Sequence, residues 1–142
     1  MSTLHPIKSD VIAGSVYYYN DPGLKSTYPH YCIVVNINPS KDTVLLLVHA
    51  SHRISKVKER RKGYPQETLV EIDPTEYPGF DKQSIIDCND VMERDVEVLR
   101  RLLAQRKLVK KPVMGLRLVR RVRKGIIASD QVAQTTKDLL DE

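Results

Sequence analysis

Two apolar runs of equal length, Tyr31-Cys32-Ile33-Val34-Val35 and Val44-Leu45-Leu46-Leu47-Val48, flank the polar stretch Asn38-Pro39-Ser40-Lys41-Asp42. This pattern limits the fold more than any other. The runs are rich in β-branched and large apolar side chains, too short for ordinary helices, and separated by strong turn formers. They predict an antiparallel strand pair in the middle of a sheet, over about 31–37 and 43–50. Three of the chain's four histidines border this pair. His30 enters the first run, and His49 and His52 leave the second with Ser51 between them.

The remaining elements are read around that pair. Gly14-Ser15-Val16-Tyr17-Tyr18-Tyr19 predicts a first strand, ended by Asn20-Asp21-Pro22-Gly23. Residues 52–65 read as a long basic connection, 66–72 as a fourth strand closed by Asp73-Pro74, and 84–88 as a short fifth. Asp90 with Glu93 resembles a capping box opening a helix to about 107, with Met92, Val96, Leu99 and Leu103 on its core face. Residues 116–123 mix apolar and basic residues in strand fashion. A last helix, capped by Ser129 or Asp130, is expected to bury Val132, Ala133, Thr136, Leu139 and Leu140. Short strands with turns every ten or so residues, plus two helices, predict one mostly β, α+β domain over 1–142. Its architecture is a small, strongly bent antiparallel sheet or partly open barrel with helices at the edges.

Hydrophobic residues make up 41% and charged residues 29% of the 142, a balance that favours a packed fold over disorder. No apolar stretch reaches bilayer length, and Met1-Ser2-Thr3-Leu4-His5-Pro6 lacks the layout of a signal peptide, so a cytoplasmic protein is expected. Cys32 and Cys88 fit free thiols in a reducing compartment. His49 and His52 with a distant third ligand would make a metal site, but their spacing is not diagnostic, and no metal or cofactor is expected.

The net charge of +5 conceals a strong asymmetry. Residues 100–124 hold eleven Lys or Arg and no acid, and residues 53–62 hold six against Glu59. Residues 67–97 reverse this, with ten acids against Lys82 and Arg94. Basic clusters of this density attract polyanions, which makes nucleic acid the first partner to consider. A solvated basic face, or one that docks an acidic protein, is the alternative.

The order of several stretches resembles the MazF/PemK-like (Kid, CcdB-like) toxins. They are Gly14-Ser15-Val16-Tyr17-Tyr18, Pro29-His30-Tyr31-Cys32-Ile33-Val34-Val35, Leu69-Val70-Glu71-Ile72-Asp73 with Tyr77, Gly79-Phe80, Asp81 and Ser84-Ile85-Ile86, and Lys124-Gly125-Ile126-Ile127-Ala128-Ser129-Asp130. The likeness covers most of 14–140 and lies in order and spacing. A helical and basic segment at about 95–118 is additional to the family pattern. The resemblance implies an SH3-like barrel, a homodimer, an acidic antitoxin partner, and metal-independent cleavage of single-stranded RNA to 2′,3′-cyclic phosphate ends. It also implies an Arg opening the second strand and a Ser or Thr ending the third as catalytic groups. Here His30 occupies the first position and Ser51 the second.

Imidazole does not reproduce the bidentate grip of a guanidinium on phosphate. Chemically, His30 with His49 or His52 would instead supply the acid and base, with Arg53 supplying charge. Lys56, Lys58, Arg60, Arg61 and Lys62 would contact phosphates, as would Arg117, Arg120, Arg121 and Arg123. Tyr17, Tyr18, Tyr19, Tyr28, Tyr31 and Tyr64 would stack bases where exposed, and Tyr28 and Tyr64 are favoured because they lie in loops. A non-catalytic nucleic-acid-binding or host-protein-binding relative is the competing reading.

Overall fold

In the computed structural model, which describes residues 11–42 and 44–141, the two apolar runs form the central strands. Strand β1 is Val16–Tyr19, β2 His30–Val34 and β3 Leu45–Ser51. The expected antiparallel pair is present, with Tyr31 opposite Ala50 and Val34 opposite Leu47. Thr43 lies outside the described residues.

Four further strands complete a seven-stranded antiparallel sheet: β4 Leu69–Ile72, β5 Ser84–Asp87, β6 Met92–Arg94 and β7 Leu108–Lys111. The order is β4-β5-β3-β2-β1-β7, with β6 paired to the other half of β3. Among the described residues β4 and β7 do not pair with each other, so the bent sheet stays open. The α+β class and the partly open antiparallel barrel therefore hold. Helices of seven or more residues, among those described, are α1 Ile54–Arg60, α2 Val96–Ala104 and α3 Leu116–Ala128, with a short α4 at Gln134–Asp138.

The central strands carry unbroken apolar runs, Tyr31–Val34 and Leu45–Val48, because both faces of the sheet are covered there. One face carries Ile33, Leu46, Val48 and Ala50 and packs against Leu118, Val119, Val122 and Ile126 of α3. The other carries Cys32, Val34, Leu45 and Leu47 and packs against Tyr17, Tyr19, Leu99 and Leu108. Each fully buried side chain of this size contributes about 1.5–3 kcal/mol, so the two cores dominate stability.

Several expected elements are corrected. The basic connection after His52 contains helix α1, which lays buried Val57 against the sheet. Residues 66–68 are a 3-10 turn that precedes β4. Asp90 opens no helix, because Met92–Arg94 pairs with Leu45–Leu47. The actual cap is Asp95, whose carboxylate accepts the Glu97 amide at 2.8 Å, and Leu103 is 41% exposed. The additional segment at about 95–118 supplies helix α2 and strand β7.

The largest correction is the 116–123 strand, which is the first part of α3. Leu118, Val119, Val122 and Ile126 recur at helical spacing, and Gly125 sits inside the helix rather than before it. A side chain there would meet the Glu67 carbonyl at 2.5 Å, so glycine permits the close approach. Ser129 ends α3 and donates to Asn89 at 2.6 Å instead of capping a further helix. Thr136 and Leu140 are buried as expected, whereas Ala133 and Leu139 are exposed.

Candidate functional site

At the end of the sheet where β1, β2, β3 and β5 meet their loops, an open cleft of about 690 Å³ is lined by parts far apart in sequence. Its walls come from the 25–29 loop, the 51–53 bend and the loop before β5. The first loop is held by a buried network at its start. Asp21 is 1% exposed, accepts the Tyr19 hydroxyl at 2.5 Å, and accepts from Arg94 Nε at 2.9 and 3.2 Å and from Nη2 at 2.6 Å. The third loop is held by aromatic packing: Phe80 stands edge-on to Tyr31 at 5.1 Å and to Tyr77 at 4.7 Å. Tyr77 in turn donates to the Pro112 carbonyl at 2.6 Å.

His30 is the first residue of β2 and Ser51 the last of β3. Both line the cleft, together with His52 and Arg53. The Ser51 hydroxyl accepts the Arg53 amide at 3.1 Å, a tight turn that carries the chain from β3 into α1. His52 and Arg53 are exposed.

The structure does not bring His49 to the cleft. Its ring stands edge-on to that of His30, with centroids 5.5 Å apart, and does not line the cleft. The Nδ1 atoms of His30 and His49 are buried and have no hydrogen-bond partner among the described residues. Burial lowers the pKa of His30, partly countered by a hydrogen bond to the Tyr28 backbone and reinforced by nearby His52. Burial also lowers that of His49, against the attraction of Asp90 and Asp87. Both imidazoles are thereby biased to the neutral form.

Aromatic rings and cations complete the cleft. Tyr28 is 66% exposed at its rim, and Tyr18 and Tyr31 line it with ring centroids 4.7 Å apart. Lys111 reaches from β7 to 5.5 Å and 5.9 Å from those two rings. Lys25, Arg53 and Lys82 are exposed lining residues, and none of them forms an ion pair within the described residues. Among the described residues, Asp81 is the single acid on the lining.

Most of the dense basic clusters lie elsewhere, and several members are engaged. Arg61 donates to buried Asp87 at 2.7 Å, and Arg60 approaches the same carboxylate at 3.5 Å. Lys58 pairs with Glu71 at 2.9 Å and Arg121 with Glu76 at 3.8 Å. Tyr64 lies under the Arg61 guanidinium, 5.0 Å from it, and does not line the cleft. Arg123 is corrected outright. It is 3% exposed and donates to the carbonyls of Val35 and Asn36 at 2.7 and 3.0 Å, which removes it from the phosphate contacts. Lys56, Lys62, Arg117 and Arg120 are exposed but outside the cleft lining.

Sequence reasoning missed Lys25, Lys82, Asp81 and Lys111. Lys25, Lys82 and Asp81 become a group only through the folding of separate loops onto one cleft, and Lys111, a member of the basic 100–124 segment, reaches the cleft rings from strand β7. Among the described residues no cluster of three or more His, Cys, Asp or Glu is placed to hold a metal ion. No helix there is long and apolar enough to cross a membrane. No protein-family model matches this chain, and no curated protein matches it at a significant level.

Proposed function

We propose that the cleft binds single-stranded RNA. The observation that carries this reading is the meeting of Lys25, Arg53 and Lys82, none of them ion-paired among the described residues, around a concavity that also presents Tyr28, Tyr18 and Tyr31. Cations attract the phosphates, and rings give stacking surfaces to bases that are not already stacked in a duplex. A concave site admits unpaired nucleotides, whereas a duplex presents a convex phosphate surface. The hydroxyl of Ser51 and the imidazole of His52 give the cleft wall groups able to hydrogen-bond a ribose 2′-hydroxyl.

Fluorescence anisotropy with a labelled RNA heptamer tests the reading. Three phosphate contacts give a slope of log K against log salt of about −2, since single strands show about −0.7 per phosphate. Arg53→Ala is expected to reduce that slope by about one contact. Absent binding at low salt, or binding indifferent to salt, refutes the proposal.

A second reading, metal-independent cleavage of the bound RNA, is favoured by one observation. Exposed His52 stands beside Ser51 and Arg53, within electrostatic reach of a His30 biased to be neutral. That is an acid and base of the kind such cleavage needs. It is also what the resemblance to MazF/PemK-like toxins implies, together with a homodimer, an acidic antitoxin segment and a cytoplasmic setting. The buried free thiols of Cys32 and Cys88 fit a reducing compartment. Binding is preferred because the Nδ1 of His30 is buried, which leaves only part of that imidazole accessible from the cleft. Fragments with 2′,3′-cyclic phosphate ends, formed in chelator and lost in His52→Ala, would establish cleavage. RNA left intact at high protein concentration would reject it.

A further inference from the structure

The cleft carries one feature that a general phosphate-binding groove does not need. Asp81 lies on a lining otherwise supplied with Lys25, Arg53 and Lys82, where a negative charge repels the backbone of any nucleic acid. Among the described residues Asp81 makes neither a hydrogen bond nor an ion pair. It is exposed and adds nothing to the core. Its position is nevertheless well determined, because it follows Phe80, which is 2% exposed and wedged edge-on between Tyr31 and Tyr77. The carboxylate is close enough to Tyr31 to help raise the pKa of that phenol, behind the larger effect of burial. It therefore stands beside a ring of the cleft rather than beside the cations alone.

We propose that Asp81 selects the base bound in the cleft, and that the base is guanine. This inference rests on the reading of the cleft as a single-stranded RNA site. A carboxylate is an acceptor with two oxygens and nothing to donate. The pairing edge of guanine presents two adjacent donors, N1–H and the N2 amino group, which a carboxylate accepts together in bidentate fashion. Adenine and cytosine each present one amino donor beside a bare ring nitrogen, whose lone pair faces the second carboxylate oxygen. Uracil presents one N–H between two carbonyls, which repel the carboxylate on both sides. Unpaired RNA exposes this edge, so the discrimination is available in a loop or single strand and lost in a duplex. Tyr18 and Tyr31 supply an aromatic surface that all bases share, and the carboxylate supplies the difference between them.

The test measures binding of RNA heptamers of uridine whose central base is guanine, adenine, cytosine or uracil, at one low salt concentration. The wild-type protein is expected to bind the guanine heptamer about tenfold more tightly than the other three, as a good bidentate base contact provides. Asp81→Ala abolishes that preference in a specific way. Affinity for the guanine heptamer falls, while affinity for the adenine and uracil heptamers stays level or rises as the repulsive charge is removed. Lys82→Ala, next in sequence, weakens all four heptamers alike. Equal affinities of the wild type, or an Asp81→Ala variant that gains equally for all four, overturns the role of Asp81 and leaves the cleft reading standing. Failure of every heptamer to bind overturns the cleft reading and this inference with it. Unchanged melting temperatures of both variants confirm that the comparison concerns recognition, since both side chains are exposed.

Discussion

Replacing Asp87 with asparagine is expected to cut the tie between the basic helix α1 and the sheet. Asp87 is 2% exposed, and its Oδ2 accepts from Arg61 Nε at 2.7 Å and, weakly, from Arg60 at 3.5 Å. Its Oδ1 accepts from the amide and the side chain of Asn89 at 3.1 and 2.9 Å. Asparagine keeps the shape and one oxygen, but sets an amino group against the Arg61 donor. A charged hydrogen bond contributes about 1.5–3 kcal/mol, and breaking a fully buried ion pair costs about 3–5 kcal/mol. The Arg61 side chain is 20% exposed and regains some water, so the lower end applies. About 3 kcal/mol is expected, or roughly 6–12 °C in Tm for a chain of this size.

Thermal and urea unfolding at neutral pH measure the loss directly, and the pH profile tests its origin. Burial pushes the Asp87 carboxyl upward, but hydrogen bonds from Arg61 and Asn89 outweigh it and hold the group below 3.8. A depressed carboxyl contributes stability that is complete above its unfolded value and is lost as pH falls through its folded value. The gap between wild type and Asp87→Asn should therefore stay constant down to about pH 4 and close below it. In a double-mutant cycle with Arg61→Met, a coupling of about 1–3 kcal/mol is expected. A Tm change under about 2 °C, additive effects, or a gap that widens in acid would refute the reasoning.

Gly125→Ala should lower Tm despite the higher helix propensity of alanine, because the new Cβ would lie 2.5 Å from the Glu67 carbonyl and 2.8 Å from Cys88 Sγ; overpacking of this kind costs about 1–3 kcal/mol, and a raised Tm would contradict the close approach. Burial depresses the pKa of His30 and His49, so their neutral forms support folding above 6.5 and stability should decline as pH drops below it. Urea midpoints of wild type and His49→Gln across that range check this, with a flatter profile expected for the variant. Tyr28→Ala should weaken heptamer binding by about 1–3 kcal/mol while leaving Tm unchanged, and anisotropy with an unaltered affinity would remove Tyr28 from the stacking surface.

Legibility varied along the chain for identifiable reasons. The strands at 31–35 and 44–50 were readable because an unbroken apolar run between turn formers has few other uses. Their neighbours were harder. Residues 116–123 alternate enough to resemble a strand, and Gly125 resembles a break. The helical spacing becomes plain only when Ile126 is included with Leu118, Val119 and Val122. Asp90 and Glu93 match a cap and so point to a helix start at Met92–Arg94, yet three residues of sheet pairing to β3 override that local preference.

By itself, the sequence determined the central hairpin, the α+β class, the placement of His30 and Ser51 at strand ends, and the excess of positive charge. Tertiary structure alone decided which charges remain available. Arg61 reaches an acid 26 residues away and Arg123 reaches carbonyls nearly ninety residues away, so two of the clustered cations are used inside the fold. Lys25, Lys82 and Asp81 gain meaning only where their loops meet. Hydrophobic periodicity records how deeply a residue is buried, because burial is a property of its own side chain. Electrostatic availability depends on partners brought from elsewhere, and that information does not exist until the chain has folded.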